Sequence, residues 1–289
     1  MLSELINRGL LRSVAPRDDL TDHAMTRLID CESQDNLESL DDEEIWTLLF
    51  VYGFVACGNQ HLAPLAAALT RQQAAVPPRN AHVEMMPYPP RKGKKGWSEK
   101  HSRIDLILGD IEPRSGTTAG VEYCPPDARA GWICLVEAKW LSDIATKTRH
   151  DCRRNQLARV IETALTLQRH GLSTCVPDQV HVTLLTPERF RTPTAAGQGS
   201  RLYFYKFWEY CTPEGQVRTD AVFADIDCAE IPARPSSRMW RYPDLGVALQ
   251  KLRLHWVTYE QLWEAMPQSP FKQALGNVIA GAARPLLAL

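Results

Sequence analysis

Residues 132–139 read Trp-Ile-Cys-Leu-Val-Glu-Ala-Lys, an apolar run that ends in a carboxylate and an ammonium group. Prolines and a glycine precede the run, and this bounded apolar pattern predicts a buried strand. Side chains alternate along a strand, so Glu137 and Lys139 should point to the same face. Burying two opposite charges at the end of a strand costs free energy unless bound groups compensate them. A divalent cation together with a phosphate would compensate both charges.

Two other stretches predict elements that fit the same site. Residues 102–109 form a second apolar strand pattern, with Asp105 in the middle of the run. Residues 149–170 predict a helix, because apolar residues recur in this stretch at helical spacing. This helix carries Gln156 and Arg159.

An aspartate on one strand, Glu-x-Lys on a later strand and a helix with glutamine together resemble the PD-(D/E)XK nuclease superfamily. The matching residues are Asp105, Glu137-Ala138-Lys139 and Gln156, and the resemblance spans residues 41–187. Glu-x-Lys alone is a weak signal because it occurs by chance in most chains. Three pieces in this order, on these element types, are more specific.

The resemblance implies a site that hydrolyses phosphodiester bonds with Mg²⁺ (or Mn²⁺). Asp105, Glu137 and the carbonyl oxygen of Ala138 would hold the metal ion, which lowers the pKa of bound water and polarises the phosphate. Lys139 would stabilise developing charge, and Gln156 would orient Lys139 or the water. Each has a structural alternative: a strand-end ion pair for Glu137 and Lys139, an exposed edge position for Asp105, and a polar helix flank for Gln156.

A helix before the sheet often supplies an extra acid in this superfamily. Glu43 or Glu44 could be that acid, since both lie at the predicted start of such a helix. The alternative is that they are ordinary helix-start charges, which the helix dipole favours.

Periodicity along residues 41–190 predicts the order helix, three strands, helix, strand. A crossover helix between strands gives the expected class, α/β with a central mixed β-sheet flanked by helices, as in a restriction-endonuclease-like core. Residues 1–40 predict an N-terminal helical extension with an acidic end. Residues 191–289 predict a C-terminal mixed extension that is aromatic-rich at its start, irregular over 211–245 and helical over about 245–253, 259–266 and from 271 onward.

The composition of the 289 residues suits a globular protein of net charge −1, with 44% hydrophobic residues. No apolar run reaches the roughly 18 residues that span a bilayer, and charges in the first residues argue against a signal peptide. The eight cysteines form no C-x-x-C pair, which favours free thiols in a reducing cytoplasm. We therefore expect a cytoplasmic protein without a membrane segment. Zinc-enzyme, P-loop and G-x-S-x-G patterns do not occur, which argues against those enzyme classes.

A basic, glycine-broken loop follows the first predicted strand. Residues 91–103 contain six Lys or Arg and one acid, a local net charge of +5. We expect this loop to touch a nucleic-acid backbone, because it joins two strands that flank the proposed site; the alternative is a solvated hairpin tip. The candidate nucleic-acid contacts are Arg91, Lys92, Lys94, Lys95, Trp97, Lys100, Arg103 and, on the helix, Arg159.

Two classes of function fit these residues. The first is a metal-dependent nuclease, a DNA endonuclease of restriction or phage-defence type, with the preference for DNA over RNA resting on analogy alone. The second is a non-catalytic nucleic-acid-binding or assembly subunit with a nuclease-like fold. The intact Asp105, Glu137 and Lys139 favour the first. Six aromatics within residues 201–210 predict core packing and, for the remainder, a homodimer face.

Overall fold

The computed structural model describes residues 1–15, 17–36, 39–58, 62–71, 76–92, 103–147, 151, 153–169, 171–172, 175–191, 202–234 and 240–282. Its strands are β1 (Asn80–Met85), β2 (Ile104–Gly109), β3 (Ile111–Pro113), β4 (Val121–Tyr123), β5 (Trp132–Ala138), β6 (Gln179–Thr186) and β7 (Leu252–Thr258). Its α-helices are α1 (Arg8–Val14), α2 (Asp18–Ser33), α3 (Glu43–Val55), α4 (Leu62–Thr70), α5 (Gln156–Leu165), α6 (Glu188–Arg191), α7 (Leu202–Tyr210), α8 (Thr219–Asp227), α9 (Leu245–Leu249), α10 (Tyr259–Ala265) and α11 (Pro270–Ala282).

A five-stranded mixed sheet in the order β1-β2-β5-β6-β7 forms the centre of the protein. Strands β1, β2 and β5 pair antiparallel, whereas β5, β6 and β7 pair parallel. Helix α5 is the crossover between β5 and β6, because parallel neighbours need a long connection. All seven residues of β5 are buried, as expected for a central strand covered on both faces.

Two hydrophobic layers cover the two faces of this sheet. One layer is built from α1 to α4, α10 and α11 against residues such as Val83, Leu106 and Val136. The other is built mainly from α5 and α7 to α9 against residues such as Ile107 and Leu135. The first and last parts of the chain therefore belong to the same core as the sheet.

The predicted class, α/β with a central mixed sheet flanked by helices, is confirmed. The strand predicted around Asp105 and the strand ending at Ala138 are both present. Helix α5 is shorter than the predicted 149–170, because Asn155 caps its start by accepting a hydrogen bond from the Ala158 N–H at 2.9 Å.

The helix predicted over residues 245–253 is wrong at 252–253, where β7 begins; residues 254–258, which carry no predicted element, complete this strand. The alternation of Leu252, Leu254 and Trp256 places these side chains in one hydrophobic layer, and this period of two defines a strand. Residues 211–245 are also less irregular than predicted, since α8 lies within them. Strand β7 pairs with β6, so residues 191–289 complete the central sheet.

The aromatic residues of α7 pack mostly inward. Tyr203, Phe207 and Tyr210 are buried, and Phe207 lies 5.3 Å from Trp256 between ring centroids. Tyr205 is the exposed member, with 52% of its surface accessible. Core packing therefore accounts for most of this segment.

A buried ionic network ties α5 to the surrounding loops. The Glu162 carboxylate accepts hydrogen bonds from Arg91 Nε at 2.8 and 3.0 Å and also contacts Arg154 and the Tyr242 hydroxyl group. Arg91 further donates to the carbonyl oxygens of Ile231 at 2.9 Å and Ile226 at 2.8 Å. Because Glu162 and Arg154 have no exposed surface, this network is part of the core.

The cysteines in the described part of the chain, seven in number, are free thiols. Within the same residues, no helix combines the length and the apolar character that crossing a bilayer requires.

Candidate functional site

Three neighbouring strands bring three carboxylates together at one end of the sheet. The antiparallel register pairs Leu106 with Val136, which brings Asp105 opposite Glu137. The register of β1 and β2 pairs Val83 with Leu106 and so brings Glu84 beside Asp105. Like-charged groups this close repel, and this repulsion raises the pKa values of carboxyl groups.

Lys139 lies between Glu137 and a fourth acid, Glu43. Its Nζ is 2.8 Å from Glu137 Oε1 and donates a hydrogen bond to Glu43 Oε1 at 3.0 Å. Glu43 is the first residue of α3, and its other oxygen accepts from Ser142 Oγ at 2.7 Å. Burial alone would lower the pKa of Lys139, but Glu137, Asp105 and Glu43 outweigh it and raise that pKa. Lys139 is therefore held as an ammonium group.

Asp105 has one oxygen engaged by the backbone. Its Oδ2 accepts a hydrogen bond from the Ala138 N–H at 2.7 Å, and the residue keeps partial exposure. Burial of the carboxyl group and repulsion from Glu137 raise the pKa of Asp105 well above its ordinary value, although Lys139 opposes the shift. The positive charge of Lys139 is therefore too small to offset the effect of burial and of the neighbouring carboxylates on the pKa of Asp105.

Glu84 is a buried acid in an unusual backbone conformation. Its φ of 60° lies in the left-handed region, and only 2% of its surface is accessible. Such strain in a non-glycine residue persists where the surroundings impose it, often at functional sites. Burial and repulsion from Glu44 raise the pKa of Glu84 to about 8, although Arg103 and Arg17, each 3.9 Å away, oppose the shift.

A divalent cation suits the chemistry of these donors. Oxygen ligands are what Mg²⁺ and Mn²⁺ prefer, and a cation would relieve the repulsion that raises the pKa values of Asp105 and Glu84. Glu137 Oε1 is buried without a correctly aligned hydrogen-bond donor among the described residues, despite the nearby Lys139. Over the same residues, however, no three His, Cys, Asp or Glu side chains are grouped so that they could hold a metal ion.

Helix α5 approaches the site with Arg159 and Gln156. Arg159 lies close enough for Glu137 and Asp105 to act on its pKa, although burial outweighs them and lowers it. Its Nε is buried and has no hydrogen-bond partner within the described part of the protein. A buried donor without a partner beside a cluster of acids is suited to an anionic group of a ligand.

Gln156 contacts the segment that follows Lys139, rather than Lys139 itself. Its Oε1 accepts from the Ala145 N–H at 3.0 Å, and its own N–H donates to the Ala145 carbonyl oxygen at 3.0 Å. This double contact fixes the chain just beyond the site. We therefore assign Gln156 as a positioning residue for that segment.

In a protein with the nuclease activity that the resemblance implies, replacing Gln156 by alanine should lower cleavage severalfold while changing stability by about 1 kcal/mol or less, because one partly exposed hydrogen bond is lost. Thermal unfolding and single-turnover cleavage of the same preparation measure the two effects. Gln250→Ala, at an exposed position outside the site, is the matched control. A large loss of stability with unchanged specific activity would instead make Gln156 purely structural.

The basic loop is only partly within the described residues. The prediction that Arg91 contacts nucleic acid is corrected by its position. Its side chain is buried and bonded to Glu162, so it is not placed to contact nucleic acid. Lys92 and Arg103 are exposed, and Arg103 lies near Glu84 at the site. The other predicted contacts of this loop fall outside the described residues; these are Lys94, Lys95, Trp97 and Lys100.

Sequence reasoning missed Glu84 and gave Glu43 only as one of two alternatives. Glu84 lies in the strand next to Asp105, but a single glutamate in a short apolar run gives no signal without the register. Comparison of the chain with family models, curated proteins and solved structures gives no match in any of the three. Function is therefore inferred from the residues and their geometry.

Proposed function

We propose that the protein is a metal-dependent nuclease that hydrolyses phosphodiester bonds, with a core of the restriction-endonuclease type. One observation carries the proposal: Asp105, Glu137 and Lys139 lie together where adjacent strands of the sheet end. Phosphoryl chemistry needs oxygen ligands for a metal ion and a positive charge near the phosphate, and these three residues supply both types of group.

Bound Mg²⁺ or Mn²⁺ would supply a water of lowered pKa and would neutralise charge on the phosphate. Asp105, Glu137 and the carbonyl oxygen of Ala138 would hold it. Lys139, kept protonated by its acidic neighbours, contributes positive charge rather than accepting a proton. Glu43 positions Lys139 through the 3.0 Å hydrogen bond.

The substrate in this proposal is nucleic acid, with DNA preferred to RNA, in a cytoplasmic enzyme of restriction or phage-defence type. Arg159 offers its Nε to a phosphate oxygen, and the exposed Arg103, 3.9 Å from Glu84, extends positive charge outward from the site. A homodimer would place two such sites on two strands of a duplex.

The test is incubation of purified protein with supercoiled plasmid, and in parallel with RNA, in Mg²⁺ or Mn²⁺ and then with excess EDTA. We expect metal-dependent nicking by the wild type and none by Asp105→Asn/Glu137→Gln. The matched control is Asp127→Asn/Glu264→Gln, which changes two exposed acids elsewhere. Equal cleavage by the site variant would refute the assignment. DNA binding by the wild type without any cleavage would favour the non-catalytic alternative.

A further inference from the structure

A cavity lies beside β7, which is the last strand of the central sheet among the described residues. Its volume is about 290 Å³, near the lower end of the range for small-molecule sites. The end of α4 forms one wall, and α7 with the turn after it forms another. Strand β7 itself lies along the cavity and contributes residues 253–256.

The walls carry an excess of positive charge. Arg71, Arg191 and Arg253 line the cavity, and Glu214 is the acid among its lining residues. Arg71 Nη2 donates to the Trp256 carbonyl oxygen at 2.6 Å, which anchors its guanidinium group at the sheet edge. Arg253 Nη1 donates to the Leu252 carbonyl oxygen at 2.8 Å, so a second guanidinium group is anchored to the same strand.

Among the described residues, the remaining arginine is only loosely paired. Arg191 Nη1 lies 3.9 Å from Glu188, whose side chain is 46% exposed, so this ion pair contributes little. Guanidinium groups present several N–H donors in one plane, a geometry that matches phosphate oxygens. The three arginines therefore favour a phosphate-bearing ligand over a neutral one.

The cavity is also lined by the imidazole ring of His255 and the indole ring of Trp208. His255 Nε2 lies 2.9 Å from His181 Nδ1, and burial together with the nearby positive charges lowers the pKa of His255 to about 3. A neutral imidazole that both donates and accepts hydrogen bonds can contact a sugar hydroxyl group. Trp208 also lines the cavity; the residue is half-buried, and its ring packs against Phe207 and Trp256.

We propose that this cavity binds a nucleotide, with its phosphates on Arg71, Arg191 and Arg253 and its base against Trp208. Aromatic rings accept any base by stacking, and a phosphate satisfies the clustered arginines. Strand β7 is two strands away from β5, about 10 Å across the sheet. The site is therefore separate from the proposed nuclease centre, and its occupancy does not depend on that activity.

The test is calorimetric titration of the full chain with ADP, inorganic phosphate and adenosine, without added divalent cation. We expect one ADP per chain, with phosphate bound about tenfold more weakly and adenosine not detectably bound at about 1 mM. Arg71→Ala/Arg253→Ala should weaken ADP binding by about tenfold or more, because hydrogen bonds to charged groups are lost. Trp208→Leu should weaken ADP binding severalfold and leave phosphate binding unchanged.

Arg8→Ala/Arg241→Ala is the matched control, since it removes two exposed arginines that do not line the cavity. Asp105→Asn/Glu137→Gln should bind ADP like the wild type, which separates this site from the nuclease centre. Absence of ADP binding at about 1 mM, or equal binding by the Arg71→Ala/Arg253→Ala protein, would overturn the proposal. Phosphate binding as tight as that of ADP would overturn the nucleotide assignment, because it would leave the base without a contact.

Discussion

Replacing Lys139 by methionine should reduce the single-turnover rate of phosphodiester cleavage by about a hundredfold or more. Methionine keeps the unbranched shape of lysine but removes the charge that lies 2.8 Å from Glu137 and 3.0 Å from Glu43. Because we propose that this charge stabilises the transition state of cleavage, the affinity for DNA should change far less than the cleavage rate. Filter binding and a quenched-flow cleavage assay on one preparation measure both quantities.

Lys147→Met is the matched control for Lys139→Met, because Lys147 is an exposed lysine eight positions further along the chain. Removal of the buried ammonium group takes the positive partner away from Glu137 and Glu43, which can lower stability. The melting temperature of each variant must therefore be measured first. Assays should then run well below the lower of these temperatures. A Lys139→Met protein that cleaves at the wild-type rate would show that Lys139 only neutralises its neighbours.

The placement of Glu137 and Lys139 at the end of β5 was predictable because it depends on local rules. Alternation along one strand places Glu137 and Lys139 on the same face, and the 2.8 Å contact between their side chains agrees with that. Local pattern does not predict that Asp105 and Glu137 lie opposite each other. Their placement depends on the register between two strands that are separated in the chain by a β-hairpin. The sequence order of the superfamily supplied that expectation.

Glu84 and β7 show what local pattern could not reach. The position of Glu84 depends on its left-handed backbone and on four charged neighbours from other parts of the chain, and none of these is encoded in the residues beside it. Strand β7 follows a short helix directly, so its apolar residues extended a helical pattern and concealed a period of two. Tertiary pairing with β6 decides its conformation.

Arg91 shows the opposite kind of error, in which composition suggested exposure. It lies next to a run of lysines, and the net charge of that run argued for a surface contact. The structure separates Arg91 from Lys92: Lys92 is exposed, and Arg91 is buried against Glu162. A buried partner far along the chain cannot be identified from the charge of a loop.

That buried partner gives the largest stability effect we expect. Replacing Glu162 by glutamine leaves Arg91 and Arg154 in the core without their shared carboxylate, since both contact it in the wild type. Breaking a buried ion pair by removing one partner costs about 3–5 kcal/mol in the free energy of unfolding. For a chain of this size the melting temperature should fall on the order of 10 °C. Scanning calorimetry and urea unfolding at neutral pH measure the two quantities.

The control for Glu162→Gln is Glu209→Gln, which removes a half-exposed carboxylate paired with Lys206 and should change stability by less than about 0.5 kcal/mol. A double-mutant cycle then tests the cause. Arg154→Leu should destabilise the wild type more than it destabilises the Glu162→Gln protein, because in that protein Arg154 has already lost its contact with the Glu162 carboxylate. Additive effects, or a Glu162→Gln protein as stable as the Glu209→Gln control, would mean that water or other groups compensate the two arginines without Glu162.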